Sequence, residues 1–215
     1  MLIPARYNGP PGTGNGGWCA GVFAQAAGVP RAQVTLRVPP PLEVELDLRD
    51  DGVWAGGTLV ASVESAGSFP DVGVAPVPHA EAVTAAKGFP GFTRHPFPGC
   101  FVCGPDHPDG LRIFPGVLPD GRTAAPWTVP DEVTAPAVWA ALDCPGGWAA
   151  IAGGRPYVLG RITAAIDALP EPGAECVVVG AATGISGRKA TVESAVHGPD
   201  GRRLAAARAT WIAVG

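Results

Sequence analysis

Gly12-Thr13-Gly14-Asn15-Gly16-Gly17-Trp18-Cys19-Ala20-Gly21-Val22-Phe23-Ala24-Gln25-Ala26-Ala27-Gly28 is a glycine-rich turn that opens straight into an apolar, alanine-rich run. Asn15 suits an N-cap, because its side-chain oxygen can accept from a free amide of the first turn. Trp18, Val22, Phe23, Ala26 and Ala27 then recur at helical spacing, and Gly28 with Pro30 closes the segment. A short helix with almost no charge is expected to be wrapped by other structure. Its first amides face whatever lies above Gly16 and Gly17, with no Cβ in the way.

Strands follow. Residues 34–38, 43–48, 53–55 and 58–63 alternate at period two, with Val44, Leu46 and Leu48 expected to face inward. Asp50-Asp51-Gly52 reads as a hairpin turn. Residues 66–98 are rich in Gly, Pro and Ser around one short helix over 79–87, and form the natural linker. After the turn-rich segment 95–111, residues 111–114 and 123–128 read as strands. A second apolar helix is expected from Ala135 to Ala152, capped by Thr134 and kinked at Pro145, which frees the carbonyl of Ala141. Four further strands are expected over 158–168, 176–183, 189–197 and 202–214. The same order thus occurs twice, a buried helix and then an antiparallel meander, and Gly16-Gly17-Trp18 is echoed by Gly146-Gly147-Trp148. The expected division is an N-terminal unit over 1–70, a linker over 71–98 and a C-terminal unit over 99–215.

The composition, 47% hydrophobic with a net charge of −4, supports a real core and argues against nucleic acid or an anionic membrane as partner. The N-terminus shows no leader pattern and no apolar run is long enough to span a bilayer, so a cytoplasmic location is expected. Five cysteines without an export signal suggest thiols rather than a disulfide framework.

A curved antiparallel sheet around one apolar helix is the hotdog fold, and a chain with two such units resembles the double-hotdog acyl-CoA thioesterases, an α+β class. Gly16-Gly17-Trp18-Cys19-Ala20-Gly21 is similar to their Gly-Gly-x-x-x-Gly helix start. Cys100-Phe101-Val102-Cys103-Gly104 is similar to a turn of single-hotdog thioesterases, and Leu142-Asp143 resembles the place of their catalytic acid. The resemblance implies Asp143 as base or nucleophile, acting on an acyl-CoA thioester without a cofactor. It puts the family's Thr and Gln partners near Thr163 and Thr210, so the Gln is absent. The first helix keeps the amide turn but has Ala24 and Gln25 where an acid would fall, while the second keeps the acid, so the halves look complementary.

Hydrolysis needs donors for the developing oxyanion and a carboxylate to activate water. The amides of Gly16, Gly17 and Trp18, set by Asn15, are the candidate donors. Trp18, Trp148, Arg161 and Arg188 are candidates for contacting substrate, with Arg112 and Arg155 as further cations for phosphates. Asp143 has a competing reading as the cap of a shorter helix starting at Cys144, and Asn15 as a cap only. Gly12-x-Gly14-x-x-Gly17 also spells a dinucleotide fingerprint, but no core strand precedes it. Cys100 and Cys103 near His95 and His107 suggest zinc, yet Cys144 and Cys176 look single and distant, so two small packing residues and no metal are expected. A hotdog dehydratase would want an Asp/His pair, and none stands out. The functional alternative is a non-catalytic binder of an acyl or other small apolar ligand. A homodimer is compatible with either reading.

Overall fold

The computed structural model describes residues 1–50, 52–67, 69, 72–151 and 155–214. The expected turn at Asp51 and the helix end at Ala152 therefore lie outside the described residues. Among the described residues ten strands form one antiparallel sheet: β1 (Arg31–Leu36), β2 (Asp47–Arg49), β3 (Gly52–Ala55), β4 (Thr58–Ser65), β5 (Gly116–Val117), β6 (Thr123–Thr128), β7 (Tyr157–Ile166), β8 (Glu175–Ser186), β9 (Lys189–His197) and β10 (Arg203–Ala213). Their spatial order is β2-β3-β4-β1-β7-β10-β9-β8-β6-β5.

Two helices, α1 (Gly16–Ala26) and α3 (Ala135–Ile151), pack on one face of the sheet. Each is followed in the chain by four strands. Those after α1 lie in the order β1-β4-β3-β2, and those after α3 in the order β7-β10-β9-β8. The two sets run outward from a shared seam, where β1 pairs antiparallel with β7 from Arg31 opposite Ala165 to Thr35 opposite Arg161. β5 and β6 extend the second set. In their place the first half has an irregular segment, whose Leu2 bridges to Glu45 and Thr13 to Pro41.

Alternation along the strands builds two cores. Val178, Val196, Ala205 and Ala207 lie on the side of α3 and share one core with Phe23, Leu142 and Trp127. Val177, Val179, Ala195 and Ala206 face the other way. There they meet Val72, Val74 and Val77 and Ala82 of a third helix, α2 (His79–Lys87). The period-two strand readings explain both cores, since β8, β9 and β10 each carry a stretch that is buried on both faces.

Glycines let α1 and α3 approach. A Cβ on Gly17 would stand 2.5 Å from the Asp143 Cβ and 2.7 Å from the Trp139 carbonyl, and one on Gly21 2.7 Å from the Pro136 Cα. Moving forward along α1 thus moves backward along α3, so the helices run antiparallel. α3 continues through Pro145. Ser194 Oγ donates to the Leu142 carbonyl at 2.5 Å and Thr123 Oγ1 to that of Pro145 at 2.7 Å. Beneath the proline, a Cβ on Gly180 would lie 2.3 Å from the Pro145 backbone.

Three expectations fail. The segment 43–48 is not a half-buried strand: only Leu46 is buried, Val44 and Leu48 are exposed, and Glu43 has a φ of 57°. Residues 43–46 bond instead to the N-terminus, Glu43 N–H to the Ile3 carbonyl at 3.0 Å and Leu46 N–H to that of Met1 at 2.7 Å, and only 47–48 enter the sheet, in β2. Residues 111–114 form no strand, because Leu111 and Ile113 N–H donate to the Phe101 and Val102 carbonyls of the cysteine turn. The Gly-Gly-Trp echo is not a structural equivalence, since Gly16-Gly17 opens α1 whereas Gly146-Gly147 lies near the end of α3.

Candidate functional site

Asn15 caps α1 as its position suggests. Its Oδ1 accepts from the Trp18 N–H at 2.8 Å. That bond fixes the amide orientation, so Nδ2 faces α3 and donates to Asp143 Oδ2 at 3.2 Å. Gly17 N–H donates to the same oxygen at 2.9 Å. The carboxylate thus sits on the N-terminus of a helix from the other half of the chain, where the dipole and two N–H groups favour negative charge. The other oxygen, Oδ1, is buried and has no partner among the described residues. Burial dominates the balance: desolvation pushes the Asp143 carboxyl up to about 7, against the Gly17 and Asn15 donors that hold it down.

This arrangement separates the three amides expected to act together. Trp18 N–H is consumed by the cap and Gly17 N–H by Asp143. Gly16 N–H, at the first helical position, has no acceptor among the described residues. Gly16, Asn15 and Asp143 all line one cavity of about 370 Å³, within the range of small-molecule sites. Phe97, Trp148, Ile151, Tyr157, Leu159 and Trp211 supply much of its apolar wall, and Arg37 stands beside them.

Cys144, expected to stand apart, is beside the turn cysteines. It follows Asp143 on α3, and the sulfurs of Cys100, Cys103 and Cys144 lie within 4.8 Å of one another. Cys100 and Cys144 are 4.0 Å apart. His95 Nε2 is 3.4 Å from the Cys103 sulfur, and Trp148 Nε1–H donates to that sulfur at 3.4 Å. The Cys103 and Cys144 thiols hold Cys100 well below the usual thiol range. Burial pushes Cys103 up, and the bond to Cys100 does the same for Cys144. Burial also lowers His95.

The remaining candidates separate by sheet face. Trp148 lines the cavity. Trp18 does not; it stacks on Tyr7 with ring centroids 3.6 Å apart. Ile162, Ala164 and Ala209 face the helices, so Thr163, Arg161 and Thr210 between them point to the opposite face. Thr163 Oγ1 is 3.5 Å from Gln33 Oε1, and Arg161 Nε donates to Thr35 Oγ1 at 2.9 Å. Arg161 and Thr210 line a second recess with Lys189. Arg188 donates to the Ala213 carbonyl, with Nη2 at 3.1 Å. Arg37 and Cys144 are residues that the sequence did not bring to the site, and His95 was weighed only as a neighbour of the turn cysteines. The available signal for Cys144 was that it directly follows the proposed acid.

No protein-family model matches the sequence, and neither does any curated protein. The fold does match solved structures. A provisionally assigned thioesterase from Novosphingobium aromaticivorans superposes over 100% of this chain and 94% of its own, with a TM-score of 0.67 at 15% identity. A thioesterase superfamily protein matches over 66% of this chain and 68% of its own, with a TM-score of 0.50 at 17% identity. The chain shares its fold with thioesterase-superfamily proteins.

Proposed function

We propose that this protein is a thioester hydrolase of the acyl-CoA thioesterase type, built as two fused hotdog units over 1–70 and 99–215 with a linker over 71–98. One observation carries the reading: Asp143, whose buried carboxylate oxygen Oδ1 has no partner among the described residues, lines a cavity together with Gly16, the first residue of a helix. In this reading the acyl group lies against the apolar wall, with its carbonyl oxygen on Gly16 N–H. The Asp143 carboxylate takes a proton from water as the water oxygen bonds to the carbonyl carbon. The tetrahedral oxyanion collapses, the carbon–sulfur bond breaks, and the sulfur leaves as a thiol after taking that proton. The products are a carboxylic acid and a free thiol. A preorganised donor of this kind is worth roughly 100- to 1,000-fold in rate.

Gly17 and Asn15 are positioning residues here, since both aim the carboxylate. Thr163 and Thr210 lie outside the lining of the cavity. Arg37 at the cavity and Arg161 in the adjoining recess are the cations best placed for the phosphates of a CoA carrier, whereas Arg188 is tied to the backbone. Both halves come from one chain, so a homodimer is not required for the site. Residue types and charge favour neither nucleic acid nor membrane as partner, and no helix among the described residues is long and apolar enough to cross a membrane.

The test is a panel of acyl-CoAs of varied chain length and aromaticity, with thiol release followed by a colorimetric reagent. Turnover lost in Asp143→Ala supports the hydrolase. Saturable binding with no turnover on any member makes the protein a binder of acyl ligands and rejects the hydrolytic reading.

A further inference from the structure

We propose that Cys100, Cys103 and Cys144 form a three-thiolate site for a soft or borderline divalent cation of the zinc class, with its fourth position open to the cavity. Two ligands come from one tight turn and the third from α3. The turn is built for close approach. Cys100 N–H donates to the Phe97 carbonyl at 2.9 Å, and Gly104 N–H to the Cys100 carbonyl at 2.8 Å. A Cβ on Gly104 would stand 2.4 Å from the Cys100 nitrogen, so only glycine lets the chain fold back here. A Cys-x-x-Cys-Gly turn of this kind presents two sulfurs to one point. Zinc–sulfur bonds of about 2.3 Å in a tetrahedron put sulfurs roughly 3.8 Å apart. The Cys100–Cys144 separation of 4.0 Å is close to that, and all three sulfurs fall within 4.8 Å of one another.

The surroundings suit thiolates rather than packed thiols. Trp148 Nε1–H donates to Cys103 at 3.4 Å, and Asn15 Nδ2 to Cys100 at 3.8 Å. His95 Nδ1 accepts the Phe97 N–H at 2.9 Å, which leaves the proton of the neutral ring on Nε2, 3.4 Å from Cys103. His95 is therefore a third donor to sulfur and not the fourth ligand. Three thiolates and a divalent ion carry one net negative charge, and N–H donors around the sulfurs offset it. Binding displaces the thiol protons to solvent. All three cysteines, His95 and Trp148 line the cavity, so water or an exogenous thiolate can reach the open position. Cys19 and Cys176, the other two thiols, stand outside the cluster.

The full chain, purified under reductant and stripped of metal, is titrated with Co²⁺ and then Zn²⁺. One equivalent per chain is expected, with thiolate-to-cobalt charge-transfer bands and the visible bands of a tetrahedral ion, both bleached by Zn²⁺. Cys103→Ser and Cys144→Ala lose the bands, and Cys176→Ala keeps them. X-ray absorption on the zinc-loaded wild type decides without any variant: three sulfurs at about 2.3 Å and one nitrogen or oxygen are expected. No stoichiometric uptake, a shell of light atoms only, or bands that survive Cys144→Ala overturn the proposal. Loss of hydrolysis bears on Asp143 alone, so this site and the proposed function fail separately.

Discussion

Asp143 is pulled both ways, by burial that favours its acid form and by Gly17 and Asn15, which favour its anion. Burial wins, and this has a consequence for stability. An acid whose folded-state pKa lies above its unfolded value favours folding when protonated. That contribution is whole below about pH 4 and is lost as pH rises through about 7, for a cost of roughly 4 kcal/mol above it. Asp143→Asn keeps acceptors for Gly17 and Asn15 but cannot ionise. Denaturation of both proteins from pH 4 to 9 is expected to show the variant gaining on wild type as pH rises, by about 1–4 kcal/mol at pH 8. A second substitution probes the contact itself. Gly17→Ala drives a Cβ into Asp143 and the Trp139 carbonyl, and is expected to cost about 1–3 kcal/mol and most of any turnover. Gly57→Ala meets nothing within 4 Å and is expected to stay within about 0.5 kcal/mol in the same melts. Asn15 was legible in sequence because capping is local. Its second bond was not, because Asp143 lies 128 residues away and only the helix crossing brings the two together.

Elements were legible where their partners matched their own periodicity. α1, α2, α3 and the long strands of the second half follow the pattern of their apolar residues. The segment 43–48 alternates just as cleanly, yet 43–46 bond to the N-terminal residues and 47–48 to the sheet edge at β3, where no layer covers Val44 or Leu48. Alternation reports a two-sided environment and cannot report that one side is missing. The seating of α3 on the sheet rests on small residues that a hydrophobic pattern does not weigh. Gly180 lets β8 touch the Pro145 backbone, and a Cβ there has only backbone to push against. Gly180→Ala is expected to destabilise by about 1–3 kcal/mol in chemical denaturation, more than alanine at an open turn glycine.

Across the whole molecule, the repeated order of helix and strands could be read from sequence, but the seam that joins the repeats could not. β1 against β7 and α1 against α3 make one apolar core with residues from both halves. Calorimetry and circular dichroism are expected to show a single coincident unfolding transition, and two resolved transitions would separate the halves. The same shared core is what sets a carboxylate from one half against a helix start from the other. The pH dependence of kcat/KM on an acyl-CoA substrate tests that union most directly. The rate is expected to climb as Asp143 ionises through about pH 7, and to fall at least 100-fold throughout in Asp143→Asn. A rate that is flat across that range, or an Asp143→Asn variant that turns over as fast as wild type, would contradict it.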